Sequence, residues 1–174
     1  MKVFKEEQRF SQSWMMLILI ISIIGPLCFG IYGCIQQLIL KQPFGNKPMS
    51  DAGLIGFTFI MLCFSILIFL FKLSTKIDET GIHYQFYPIH FSYKTIAWSE
   101  LKMAKVRTYL PITEYGGWGF RSGFFGNKAK GKAINVSGDI GIQLEFKNGK
   151  KLLIGTLKQS EAKSVLETYQ HKII

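Results

Sequence analysis

His83 and His90 stand seven residues apart, and His171 lies near the end of the sequence. These three imidazoles are the first groups to weigh for acid–base or metal chemistry. A histidine metal site needs further donors at fixed spacing, and an HExxH run would bring two ligands and a base together. No such run occurs, and no cysteine accompanies the histidines. Asp78 and Glu79 fall close to His83, in a stretch that reads as an exposed turn. Glu100 and Glu114 form a carboxylate pair for acid–base work only if the fold joins them. Ser137 and Ser160 lack a nucleophile elbow or a recognisable base. These residues predict no catalytic site, no metal and no cofactor, so the chain is not expected to be an enzyme. The rival is an enzyme subunit with a polar pocket joining His83 or His90 to a carboxylate.

A second group of residues suits noncovalent recognition. Residues 115–132 read YGGWGFRSGFFGNKAKGK. Trp118, Phe120, Phe124 and Phe125 can anchor in a lipid interface or a partner surface. Arg121, Lys128, Lys130 and Lys132 can meet anionic head groups, each worth about 1 kcal/mol near such a surface. A plainer account makes the stretch a strand, a glycine-rich loop and a solvated basic rim, with Trp118 and Phe120 in the core. The glycines match neither the GxGxxG nor the GxxxxGK[ST] phosphate-binding pattern, so no nucleotide site is expected.

The elements that must carry these groups are set by an uneven charge distribution. The 174 residues hold 21 Lys and Arg against 11 Asp and Glu, a net charge of +10. Residues 14–73 contain only Lys41, Lys47, Asp51 and Lys72 as charged groups, whereas residues 74–174 hold fifteen basic and eight acidic ones. No charge occurs from Trp14 to Leu40 or from Ala52 to Phe71. About 20 apolar residues suffice for a helix to cross a hydrocarbon core of about 30 Å. The sequence therefore predicts a segment at 1–13, a transmembrane helix at 14–40, a short loop at 41–51, a second transmembrane helix at 52–73 and a folded domain at 74–174. The first apolar run is too long for a signal-peptide core, and a second span soon follows.

Gly25 and Pro26 predict a kink in the first helix. Gly30 and Gly33, with Gly53 and Gly56 in the second, predict close helix–helix packing. Cys28, Cys34 and Cys63 lie inside the apolar runs as small fillers. Neither span carries Asp, Glu, Lys, Arg or His beyond its ends, which argues against a proton or ion pathway. Five basic residues (Lys2, Lys5, Arg9, Lys72, Lys76) flank the outer ends of the hairpin, against Lys41 and Lys47 in its loop. By the positive-inside bias both termini are cytoplasmic, in a multi-pass protein of the cell inner membrane. That bias accounts for part of the positive charge, and no nucleic-acid recognition motif is present, so nucleic acid is not an expected partner.

Beyond residue 74 the apolar pattern changes to period two. Ile82, Tyr84 and Phe86 alternate with polar neighbours after a turn at Glu79–Gly81. Strands are expected over 91–97 and 101–109. Ile142, Leu144 and Phe146 lead into Asn148-Gly149, a strong hairpin signal, and Lys151 to Thr156 returns. A helix from about Ser160 to Tyr169 places Ala162, Val165, Leu166 and Tyr169 on one face, with Ser160 as its cap. The expected domain is all-β: a strongly bent antiparallel sheet or partial barrel of about seven strands closed by the C-terminal helix. Periodicity alone fits other small barrels equally well.

EYGGWGFR at 114–121 and NVSGDIGIQLEFKNGKKLLIGT at 135–156 resemble the bacterial pleckstrin-homology-like (PH-like) membrane proteins, in which a transmembrane hairpin precedes a small PH-like domain. In those relatives Gln often follows the threonine, where this chain has Leu157. The resemblance implies a PH-like fold. It implies no catalytic residues, because the family's biochemical role is generally unassigned. The expected function is a membrane-anchored PH-like adaptor or accessory subunit. Its expected partners are membrane lipids, a membrane or membrane-proximal protein, and a second copy of the chain. The alternative is a structural subunit of a larger membrane complex held by its helices.

Overall fold

The computed structural model describes residues 2–10, 12–121 and 131–173. The chain divides into two units, residues 12–70 and residues 1–11 with 71–174.

The first unit is a helical pair. Helix α1 spans Ser13–Cys34 with Pro26 inside it, and a π-helical turn continues over Ile35–Ile39. Helix α2 spans Asp51–Leu70. Two segments, Met16–Ile39 and Asp51–Leu70, are long and apolar enough to cross a membrane. Many of their large apolar side chains point outward, among them Ile21, Phe29, Phe59 and Ile66. Gly30 lies close against α2, and Gly33 against the connecting segment and the start of α2. A methyl group on Gly30 would stand 2.6 Å from Thr58 Oγ1, and one on Gly33 would stand 2.8 Å from the Phe44 ring and 3.2 Å from Leu54. Space, not backbone freedom, is what these glycines supply. Gly25 and Gly56 face open space, and a methyl on Gly53 would first meet Met49 and Ser50 of the preceding loop. The hydroxyls of Thr58 and Ser65 donate back to Leu54 O and Met61 O, each at 2.8 Å, which satisfies them within their own helix. Gln37 Nε2 donates to Asp51 Oδ1 at 2.6 Å and Phe44 packs on Phe29 and Tyr32, closing the short connection.

The second unit contains nine strands among the described residues, in two sheets. β1 (Phe4–Arg9), β2 (Lys72–Ile77), β3 (Gly81–Tyr87) and β4 (Lys94–Ala97) form an antiparallel sheet in that order. A short 3-10 turn at Trp98–Glu100 leads to β5 (Leu101–Thr108). Helix α3 (Pro111–Tyr115), β6 (Gly119–Arg121), β7 (Lys132–Asn135), β8 (Ile140–Phe146), β9 (Lys151–Gly155) and α4 (Gln159–Tyr169) follow. The second sheet has the order β5-β8-β9-β7-β6, and β7 runs parallel to β9.

Alternation sorts side chains to the two faces of each sheet. Leu73, Ile77, Ile82 and Phe86 of the first sheet share a core with Ile142, Leu144, Leu152 and Ile154 of the second. Ala162, Val165, Leu166 and Tyr169 of α4 join the same core, as the helical spacing predicts. Trp98 stacks on Tyr169 and donates Nε1–H to Asp78 O at 3.0 Å. A smaller core of Tyr109, Tyr115, Ala133 and Leu153 lies on the opposite face of the second sheet.

Several expectations change. One bent sheet of about seven strands becomes two sheets, of four and five strands, without a closed barrel among the described residues. The additional strands are short, and β6 and β7 hold too few residues to show a period. α2 ends at Leu70, because Lys72 already pairs with Arg9 and Tyr87. β4 begins at Lys94 rather than Phe91. Lys158, not Ser160, occupies the cap position of α4, without a side-chain cap bond. The segment before the first helix contains a strand, β1, although its inward positions Phe4, Glu6 and Gln8 are two-thirds polar and give no apolar alternation.

Candidate functional site

Strand β1 precedes α1 in sequence and β2 follows α2, yet they are partners in one ladder. The register runs from Phe4↔Ile77 to Arg9↔Lys72. Polar side chains fix β1 to the second sheet. Glu6 accepts from the Thr156 hydroxyl at 2.6 Å and from Leu157 N–H at 2.8 Å, and Gln8 Nε2 donates to Gly155 O at 2.8 Å. Glu6 is buried, and these charge-assisted bonds take the place of water. Tyr169 completes the attachment by donating to Lys2 O at 2.7 Å.

The end of the first sheet at which the chain leaves for and returns from residues 12–70 carries a group of aromatic and basic residues. The last rung is Arg9–Lys72–Tyr87. Phe10 meets Phe71 edge-on at 6.1 Å, and Phe71 lies 5.5 Å from Phe86. The loop of residues 88–93 leaves from Tyr87. Its backbone turns back through His90 N–H to Phe86 O at 2.8 Å, and Gln85 Nε2 holds Phe91 O at 2.9 Å. His90 is buried beneath the loop, edge-on to Tyr84 at 5.7 Å and to Phe120 at 5.6 Å. Burial, helped by the nearby Lys94 charge, pushes the His90 pKa down and favours its neutral form. Ile89, Phe91 and Tyr93 point outward at 49%, 81% and 49% exposure. Residues 88–93 read PIHFSY, and Phe91, expected to open a strand, lies in this loop instead.

Of the aromatic and basic residues expected at 118–132, the structure describes Trp118, Phe120, Arg121 and Lys132. Phe124, Phe125, Lys128 and Lys130 lie outside the described residues. Trp118 is half-buried and donates Nε1–H to Gly138 O at 2.9 Å. Phe120 is exposed rather than in the core, and its ring lies edge-on to His90 at 5.6 Å. Arg121 pairs with Ala133 on β7, so alternation turns Arg121 and Lys132 to opposite faces of the sheet.

The outer face of the second sheet holds a connected polar network. Arg107 donates to both oxygens of Glu114, at 3.1 and 2.8 Å, and to Gln143 Oε1 at 3.2 and 3.0 Å. The Glu114 bonds hold the guanidinium firmly protonated against the opposing effect of burial. Glu114 Oε1 also accepts from Leu110 N–H at 2.9 Å, which sets the start of α3. Burial pushes the Tyr109 phenol up to about 12, and its oxygen accepts from Asn135 Nδ2 at 2.7 Å. Beside this network a groove of about 240 Å³ is lined by Lys105, Arg107, Gln143, Glu145 and Lys151. Within it Lys151 pairs with Glu145 at 3.2 Å and Arg107 with Glu114 at 2.8 Å, and the lining is polar. Glu100 and Glu114 are not joined: Glu100 accepts from Ala97 N–H at 3.2 Å while Glu114 serves Arg107.

His83 does meet a carboxylate. Its Nε2 lies 3.1 Å from Asp78 Oδ1, and its Nδ1 lies 2.9 Å from Thr95 Oγ1. Burial works to raise the Asp78 pKa, but bonds from Lys76, Thr80 and His83 outweigh it and hold the carboxyl well below its usual range. His83 alternates with the core residues Ile82 and Tyr84, so the Asp78–His83–Thr95 chain lies on the outer face of the sheet. Its hydrogen bonds join the β2–β3 turn to β4. Among the described residues no three His, Cys, Asp or Glu side chains gather as a metal-binding group.

No family model, curated protein or solved structure matches this chain.

Proposed function

We propose that the protein is a membrane-anchored adaptor or accessory subunit, with a PH-like domain on the cytoplasmic side of a bacterial inner membrane. The observation that carries this reading is the insertion of two span-length apolar helices between two partnered strands of one domain. A domain completed by strands before and after the helical pair requires both outer ends of that pair on one side of a bilayer. The positive-inside bias favours the cytoplasm for that side. Two sheets with a helix against their shared core support the PH-like comparison, as does the sequence resemblance at 114–121 and 135–156. The β7–β9 parallel pair departs from a simple antiparallel meander. Recognition is noncovalent in this reading, and the polar groove beside Arg107 supplies a surface for a protein partner.

The test is crosslinking in the full chain at native expression. A photoreactive residue at Lys105 samples the groove, and one at Phe59 samples the exposed side of α2. Capture of one protein in stoichiometric yield from Lys105 is the expected result. Capture from Phe59 alone would reassign the protein as a structural subunit held by its helices. Capture from neither would contradict an adaptor role.

A further inference from the structure

Covalent geometry limits how far the loop of residues 88–93 can lie from the end of α2. Leu70 is the last residue of α2 and Lys72 opens β2. Two residues reach at most about 7 Å. Lys72 pairs directly with Tyr87, across a ladder spacing of about 4.8 Å. Tyr87 is therefore the ladder partner of a residue only two positions beyond the end of α2, by connectivity and register alone. The polar interface on each side of a bilayer is about 5–8 Å deep, so this rung falls at or just above it when α2 spans.

Three large apolar side chains point outward from the next six residues: Ile89, Phe91 and Tyr93. Isolated exposed apolar residues are ordinary on a soluble surface, but three in one short loop form a patch. The Phe91 ring lies 5.9 Å from Tyr87 in an edge-on contact, which extends the patch onto the sheet. Arg9 and Lys72 share the outer face of that same rung, where Lys72 also pairs with Glu7 at 3.1 Å, and Lys94 is exposed just after the loop. Aromatic rings beside long cationic side chains suit the head-group layer, where rings sit at the boundary and cations reach phosphates.

We infer that the loop of residues 88–93 is a third membrane contact, which seats Ile89, Phe91 and Tyr93 in the interfacial layer of the bilayer crossed by the helices. It rests on the membrane reading above and adds the lipid-facing surface of the domain. Such a contact would hold the domain in one orientation at the membrane, leaving other faces of the sheets for a partner.

The test uses the full chain carrying Cys28→Ala, Cys34→Ala and Cys63→Ala, reconstituted in phosphatidylcholine–phosphatidylglycerol vesicles. Single-cysteine variants Ile89→Cys and Phe91→Cys carry an environment-sensitive fluorophore, quenched by nitroxide-labelled lipid. Ile66→Cys reports a lipid-exposed position of α2. Glu79→Cys reports the turn beyond the opposite end of β2, whose last residue, Ile77, is five residues or about 17 Å from Lys72 along the strand. The expected result is at least a twofold loss of emission at positions 89, 91 and 66, with less than a tenth lost at position 79. Strong quenching at 66 but only control-level quenching at both 89 and 91 would overturn the loop contact while sparing the membrane reading. Control-level quenching at 66 as well would overturn both.

Discussion

Asp78 shows how one carboxylate can serve the fold while resembling part of a catalytic relay. It accepts from Thr80 N–H and Oγ–H, pairs with Lys76 at 2.7 Å and lies against His83. Its pKa is held below the ordinary value because these bonds outweigh the effect of burial. The unfolded chain protonates Asp78 in the usual carboxylate range, whereas the folded chain resists. Its contribution to stability is present above that range and declines as pH falls through it. Asp78→Asn should therefore destabilise the full chain at neutral pH and do so progressively less below about pH 4, where the parent loses the same contribution. Thermal unfolding in detergent from pH 7 to pH 3 measures this. A gap that stays constant or widens on acidification would show that the charge of Asp78 does not anchor the turn. The closeness of Asp78 and His83 was readable from their spacing. Thr95 joins them through the β3–β4 register, which no local pattern encodes.

At the scale of elements, the polar inner face of β1 is the central departure from what sequence patterning shows. Phe4, Glu6 and Gln8 face inward, but only Phe4 is apolar, so the period-two signal that reveals β3, β8 and β9 is missing. Those positions read as polar because they bind the end of β9 by hydrogen bonds rather than by apolar packing. Glu6→Ala would leave the Thr156 hydroxyl and Leu157 N–H without their acceptor. The expected cost is about 1–3 kcal/mol, the range for buried donors that lose a partner. Denaturant melts of the purified full chain should show a lower midpoint, and proteolysis should cut earlier between residues 1 and 11. An unchanged midpoint would make β1 an accessory strand. The apolar helices were legible from their uncharged length, and the β8–β9 hairpin from Asn148-Gly149, because both signals are local. Gly30 has a residue of α2 close by and Gly33 has one of the connecting segment, whereas Gly56 faces open space, a difference set by which helix face meets its partner. The loop of residues 88–93 was hidden for another reason. Pro88 ends β3 in sequence as in structure, but Phe91 and Tyr93 resemble strand residues, and only the start of β4 at Lys94 shows that they lie in the loop.

At the scale of the whole molecule, the order of elements is the main constraint. A strand, two long apolar helices and a second strand follow one another, and the two strands are partners. The proposed anchoring follows from that order, because a chain that returns to complete its own sheet must cross a bilayer an even number of times. In the proposed anchoring, the surplus of basic residues outside the hairpin loop favours the cytoplasm for both termini. The most direct measurement is cysteine accessibility in intact cells, using a membrane-impermeant maleimide and single-cysteine variants Glu7→Cys, Lys47→Cys and Glu79→Cys in the chain with Cys28, Cys34 and Cys63 replaced by alanine. The predicted result is immediate labelling at position 47 and labelling at positions 7 and 79 only after the membrane is permeabilised. Labelling of all three positions together, before or only after permeabilisation, would contradict two helices that cross the membrane.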